Sequence, residues 1–290
     1  MQSLARSLAR RLKRTLRPTI PRPRTRDVDL SDFELSRQLF GAFPDLVSHS
    51  AVSGNDDVHF QDKSLGGAIA CTAAEATLLY LAARCAQPEA PIEIGSYIGW
   101  STAHLASGIK SVLTCIDPFL EIGPDLREDT SEPAKQRFLD NLTRAGLIER
   151  IRLVCGKSPE AIPTAAPGGW DFAFVDGWHV DGQPIRDVSG ITPHLAPTAV
   201  VILHDLWLPD VRDALCYLRA LGWEYEILNT SNYLTLAWRI RPPWLTDFLS
   251  EAKGARFVNT SAALRVNRVV KGLTAESIET CATVFGSRNT

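Results

Sequence analysis

The chain has 290 residues, 45% hydrophobic and 22% charged, and a formal net charge of −2. That is the composition of an ordinary globular protein, long enough for one large domain with decorations, and no apolar run approaches the ~20 residues of a membrane span. The charge is unevenly placed: nine of the 31 basic residues fall in residues 1–26 with no acid among them, leaving 22 basic against 33 acidic residues, so the body is acidic and no nucleic-acid partner is expected.

Leu4, Leu8, Leu12 and Leu16 lie on one stripe of a helix whose other faces are basic. Such a segment suits an anionic membrane surface, an organelle presequence or a solvated or partner-packed helix, and these readings stay open. A Pro-rich linker over 17–26 follows. Residues 27–64 form a short helix, opened by a capping box at Ser31 and Glu34, and then a polar, lid-like loop over 41–65. A helix of good formers spans 69–85. The six cysteines form no C-x-x-C and read as reduced core thiols of a cytoplasmic protein.

From residue 91 the pattern alternates. Strands are predicted at 92–94, 112–116, 151–155, 170–175 and 199–203, with helices starting near Gly99, Ser131, Gly182 and Pro209. Residues 121–131 read as a polar loop. A closing antiparallel pair is expected over 224–228 and 233–240. The fold class is therefore α/β: a doubly wound, mostly parallel sheet, Rossmann-like, with a closing antiparallel strand pair, over residues 65–240. Residues 241–290 form a helical extension with candidates at 244–252 and 275–285.

The first strand runs into Glu93-Ile-Gly95-Ser-Tyr-Ile-Gly99. A glycine turn opening a helix leaves backbone N–H groups free for an anionic group. The spacing G-x-x-x-G differs from the dinucleotide pattern G-x-G-x-x-G, and an acid just ahead of it repels a pyrophosphate and attracts an ammonium. The turn thus fits a ligand with an amino-acid end. Asp117, Asp176 and Asp205 each follow an apolar strand, where an open α/β sheet places its ligands.

Residues 91–101, 112–119, 172–179 and 200–206, taken as an ordered set, resemble the class I S-adenosylmethionine-dependent methyltransferases, in particular the catechol-type and the sugar and antibiotic O-methyltransferases. The resemblance implies that Gly95, Ser96, Tyr97, Gly99 and Ser101 cradle the cofactor, with Glu93 on its amino group. Asp117 would accept the ribose hydroxyls, Pro118 and Phe119 cover adenine, and Lys157, Ser158 and Asp176 complete the pocket. Asp176 and Asp205 end neighbouring strands and repel unless a cation lies between them. The resemblance implies a divalent ion, Mg²⁺ or Mn²⁺, there. His204 stands where the family has an acid, which moves preference away from Mg²⁺. His179, three residues past Asp176, takes the place of a general-base lysine. Trp100, Trp178 and Trp207 are candidate walls for the acceptor.

The expected activity is methyl transfer to a hydroxyl of a small acceptor, a sugar or glycosylated metabolite before a catechol or phenol. The expected setting is a cytoplasmic homo-oligomer with peripheral membrane contact through the basic tail. Two rivals are an NAD-dependent reductase on the same architecture and a non-catalytic cofactor-binding protein. The missing G-x-G-x-x-G and the presence of Glu93 speak against the first. Asp176, His179 and Asp205 speak against the second.

Overall fold

The computed structural model describes residues 29–50, 57–63, 70–122, 128–130, 132–165 and 169–255. The expectations for 1–26, for a cap at Ser131 and for a helix at 275–285 lie outside these residues.

Seven strands form the central sheet. In chain order they are β3 (Pro91–Ile94), β4 (Leu113–Asp117), β7 (Ile151–Cys155), β8 (Trp170–Val175), β9 (Leu195–Leu203), β10 (Glu224–Ile227) and β11 (Thr235–Trp238). Their order in space is β10-β11-β9-β8-β3-β4-β7. β3, β4, β7, β8 and β9 run parallel, while β11 is antiparallel to both β9 and β10. The chain winds outward from β3 to β7, then returns to lay β8 against the other side of β3. The strand order therefore reverses between β3 and β8, the switch point beyond whose carboxyl ends open α/β sheets place their ligand crevice.

Helices cover both faces, so alternate strand residues enter two separate apolar layers. Phe172, Phe174, Val200 and Ile202 face one layer, with Leu78, Leu79, Trp100 and Phe138. Ile92, Ile94, Ala173, Val175, Val201 and Leu203 face the other, with Ile185, Val188 and Leu215. Glu93 projects into the first layer, where a carboxylate has no water to meet. His204 continues the register of Val200 and Ile202 one residue past β9, so it too faces the first layer.

That layer includes α1 (Glu34–Phe40), α2 (Ala73–Ala86), α3 (Trp100–Gly108) and α4 (Glu132–Arg144). α2 begins at a capping box in which Thr72 and Glu75 exchange bonds, and it ends at Gln87 in a left-handed conformation. On the opposite face lie α5 (Ile162–Ala165), α6 (Gln183–Ile191) and α7 (Pro209–Ala220); α8 (Trp244–Gly254) packs on α2 through the first layer.

Several sequence expectations change. The polar stretch after α1 is not all loop: β1 (Leu46–Ser50) and β2 (Val58–Asp62) pair antiparallel, burying Val58, Phe60 and Asp62 on alternate positions. The stretch after Phe119 likewise holds a small pair, β5 (Leu120–Ile122) with β6 (Glu128–Thr130). The first capping box is Asp29 with Asp32, ahead of a single 3-10 turn, because Asp29 accepts from Ser31 and Asp32 returns the bond. Cys155 is exposed, unlike buried Cys71, Cys115 and Cys216, because it ends the outermost strand.

Candidate active site

The turn after β3 is built around Gly95, at φ +88°. A Cβ there would lie 2.4 Å from the carbonyl oxygen of Asp176 and 2.6 Å from Cα of Gly177. The turn and the end of β8 are thus in backbone contact, which only a residue without a side chain permits. Gly99 forms the N-cap of α3.

Asp117 clamps this turn. Its Oδ2 accepts from the N–H groups of Ser96 (2.7 Å) and Tyr97 (2.8 Å), and its Oδ1 from that of Phe119 (2.6 Å). Two of the amides expected to face a ligand therefore face Asp117. A carboxylate has about four lone-pair sites, so one remains for a further donor. The expectation that Asp117 accepts two ribose hydroxyls requires one amide bond to give way.

Glu93 differs more from expectation. Its carboxylate is fully buried beneath the turn, where it accepts from the hydroxyls of Ser96 (2.8 Å), Ser101 (2.6 Å) and Thr102. Burial pushes its pKa up to about 7, against the pull of those hydroxyls. It supports the start of α3 from below and does not reach the crevice. Phe119 also turns inward, with φ +50° and its ring 5.3 Å from that of Phe138, which leaves half-buried Pro118 as the surface beside Asp117. Ser158 is buried and Lys157 exposed at the neighbouring strand end.

Across the switch point, Asp176, His179, His204 and Asp205 present ligand atoms that all lie within 4.8 Å of one another. His179 Nε2 is 3.1 Å from Asp176 Oδ1 and 3.8 Å from Asp205 Oδ2. His204 Nδ1 is 3.0 Å from Asp176 Oδ1 and 3.5 Å from Asp205 Oδ2. Asp205 adopts φ +59°, which the short aspartate side chain tolerates, and the Trp207 indole holds its Oδ1 at 2.6 Å. Burial alone would raise the pKa of Asp176, but His204 and His179 hold it well below the carboxylate range. Burial would lower that of His179, yet the bond to Asp176 and the charges of Asp176 and Asp205 raise it.

One atom in this cluster bears on a metal. His204 Nδ1 is buried and forms no hydrogen bond, although Asp176 Oδ1 lies 3.0 Å away. A buried nitrogen left that way beside two carboxylates and a second imidazole fits a cation ligand.

Of the three rim tryptophans, Trp178 stands 48% exposed beside His179 and Trp207 is half-buried. Trp100 is not a wall. It is core, edge-on to Phe43 at 5.1 Å, with its indole N–H on the Cys71 carbonyl.

The sequence reading missed the strap over the turn. Tyr97 Oη donates to buried Asp62 (3.0 Å), and Arg137 pairs with the same carboxylate. It also missed Glu75, 3.0 Å behind His204. The alternation of Val58, Phe60 and Asp62 was an available signal for the strap; the Thr72-x-x-Glu75 spacing marked Glu75 as a helix start, and nothing local tied it to His204.

Residues 92–206 match the family model described as a methyltransferase domain. A protein of Mycobacterium sp. (strain JLS) assigned as an O-methyltransferase is 33% identical over 141 residues, 48% of this chain and 58% of its own length. One from Mycobacterium avium (strain 104) is 30% identical over 182 residues, 58% of this chain and 76% of its own length. The chain thus spans less than two thirds of the first relative's length. Among solved structures, a cofactor-bound protein from MTB superimposes with a TM-score of 0.56 at 17% identity, covering 76% of this chain and 100% of that one. An O-methyltransferase from Bacillus cereus in complex with SAH gives 0.50 at 16%, covering 76% and 92%. At such identities the likeness is one of fold. No helix among the described residues is long and apolar enough to cross a membrane.

Proposed function

Because the chain belongs to the class I S-adenosylmethionine-dependent O-methyltransferases, we propose that it transfers a methyl group to a hydroxyl of a small acceptor, with help from a divalent cation. The observation that carries this reading is the convergence of Asp176, His179, His204 and Asp205 at the strand ends facing the Gly95 turn.

S-adenosylmethionine supplies the methyl group on a sulfonium. In this reading the turn of Gly95, Ser96, Tyr97 and Gly99 lines its amino-acid end, with Ser101 and Glu93 holding the turn from below. Asp117 accepts a ribose hydroxyl with its remaining lone pair. Pro118, Lys157 and Ser158 border the adenine. Asp176, His204 and Asp205 hold the cation. When bound, such an ion lowers the pKa of an acceptor hydroxyl and orients it. His179 takes the acceptor proton. Methyl transfer is an in-line displacement, so positioning these groups supplies much of the rate. The mixed imidazole and carboxylate set favours Mn²⁺ over Mg²⁺. Exposed Trp178 offers a flat apolar face for a sugar or glycoside ring, the acceptor class preferred here over catechols.

A second reading is favoured by one distance. His179 Nε2 faces Asp176 Oδ1 at 3.1 Å, inside the spread of the ligand atoms, so His179 would be a fourth ligand. His179→Ala separates the two. A lost base lowers kcat about 10²–10⁴-fold with Mn²⁺ affinity kept, whereas a lost ligand lowers Mn²⁺ affinity as well.

The test of the whole reading is methyl transfer from S-adenosylmethionine to panels of sugar and catechol acceptors, before and after chelation. Turnover on sugars that needs Mn²⁺ or Mg²⁺ is expected. Turnover on no hydroxyl acceptor, with or without metal, would refute the activity. The basic segment 1–26 is proposed to adsorb to anionic surfaces, and salt-sensitive binding to phosphatidylserine vesicles tests it.

A further inference from the structure

Glu75 lies 129 positions before His204 in the chain, on α2, and is fully buried. A buried carboxylate in an apolar layer needs a reason. Its oxygens take six contacts. Oε2 meets Nε2 of His204 (3.0 Å), the N–H and hydroxyl of Thr72 (3.2 and 3.1 Å) and Nδ2 of Asn232 (3.0 Å). Oε1 meets the hydroxyl of Thr230 (2.8 Å) and the N–H of Asn232 (2.7 Å). The Thr72 and Thr230 hydroxyls already accept from the N–H groups of Glu75 and Leu234, which turns their own hydrogens toward the carboxylate. The neighbours therefore all give hydrogens, and Glu75 acts only as an acceptor.

That has a consequence for the ring it touches. The hydrogen in the His204 contact must sit on Nε2, and the other nitrogen, Nδ1, is left facing Asp176 and Asp205 without a hydrogen bond. A carboxylate behind a metal-bound histidine fixes its tautomer and ring orientation and makes it a better ligand. We propose that Glu75 is the positioning residue of the cation site: it holds His204 in the Nε2–H tautomer and so aims the Nδ1 lone pair at the ion. Through Thr230 and Asn232 it ties that ligand to the turn between β10 and β11, and through Thr72 to the start of α2. The site thereby depends on two segments that contribute no ligand of their own. This inference rests on the cation site proposed above.

The test uses the full chain with S-adenosylhomocysteine present. Mn²⁺ affinity is read by electron paramagnetic resonance for wild type and for Glu75→Gln, whose amide NH₂, on whichever oxygen's side it lies, would face at least one N–H that can only donate. The variant is expected to bind Mn²⁺ about 10–100-fold more weakly, with S-adenosylhomocysteine affinity unchanged. A second measurement needs no variant that risks misfolding. In the Zn²⁺ complex of wild type, ¹⁵N spectra of the histidines should show His204 protonated at Nε2 and bound to the ion at Nδ1, with His204→Gln serving to assign its signals. Ligation through Nε2, or equal Mn²⁺ affinity in a folded Glu75→Gln, overturns the inference while leaving the cation site standing. A wild-type chain that binds neither Mn²⁺ nor Zn²⁺ removes the cation site, and this inference with it.

Discussion

Replacing Gly95 by alanine tests the contact on which the two halves of the site depend. Two costs add. The residue sits at φ +88°, a conformation that costs an L-residue about 1–2 kcal/mol. The new Cβ would also fall 2.4 Å from the Asp176 carbonyl oxygen and 2.6 Å from both the Asp176 carbonyl carbon and Gly177 Cα. All three are backbone atoms at the end of a central strand, and none can swing aside as a side-chain tip would. Overpacking of that kind costs about 1–3 kcal/mol, so the sum is about 2–5 kcal/mol, a large part of what holds a domain folded. Gly146 provides the control. It has φ +71° but nothing within 4 Å of its Cβ position, so its alanine variant meets the conformational cost alone, about 1–2 kcal/mol. Urea unfolding of both variants, with calorimetry of S-adenosylhomocysteine binding, measures the difference. Gly95→Ala is expected to be the less stable of the two and to lose cofactor affinity, because relief of the clash separates the turn from Asp176. A Gly95→Ala protein as stable as Gly146→Ala, with wild-type affinity, would refute the packing argument.

Asp117→Ala should weaken S-adenosylhomocysteine binding by about 1.5–3 kcal/mol, by losing a charge-assisted acceptor and releasing the amides of Ser96 and Tyr97; unchanged calorimetry would exclude the role. Asp205→Ala and chelation should each abolish turnover while leaving S-adenosylhomocysteine affinity within about 2-fold, and full activity after chelation would place the chemistry elsewhere. Glu93 predicts a pH dependence of stability. Its folded pKa of about 7 stands above the ordinary 4.5, so the stability it contributes is complete below 4.5 and lost as pH rises to about 7, on the order of 3 kcal/mol. Glu93→Gln should flatten the fall in melting temperature between pH 5 and pH 8, and an unchanged slope would show that the carboxylate is ionised throughout.

What was legible in the chain followed from position along a strand. An acid directly after an apolar run is carried to the end of the sheet, and Asp117, Asp176 and Asp205 all arrive there. His179 and His204 arrive with them, because each lies within three residues of a strand-end acid. Glu93 misled for the converse reason. It stands inside a central strand covered on both faces, where all four side chains of β3 are buried, so the carboxylate went under the turn. Trp100 follows the N-cap Gly99 directly and faces the core side of α3. The pairings of Asp62 with Tyr97 and Arg137, and of Glu75 with His204, were out of reach because the partners lie 35, 75 and 129 positions apart, set by the winding of the sheet.

The two buried glutamates of this face make opposite use of their donors. Glu93 is held mainly by hydroxyls, and a hydroxyl can turn and accept when the carboxyl gains a proton. Little is lost on protonation, and burial decides the matter by pushing the pKa up to about 7. Burial works the same way on Glu75, but the positive charge at His204, an imidazolium in the metal-free chain and an ion-bound ring in the loaded one, outweighs it together with the His204 N–H, the Thr230 hydroxyl and the Asn232 N–H and holds the pKa down to about 2. Backbone amides and the Asn232 side-chain NH₂ cannot accept in return, so a proton on Glu75 would leave donors facing donors. The negative charge behind His204 is therefore constant across the pH range in which an enzyme works, whereas that beneath the Gly95 turn is adjustable. A fixed charge suits a group whose task is to orient a ligand. A carboxyl that tolerates either protonation state suits one whose task is to fill and brace the first turn of α3.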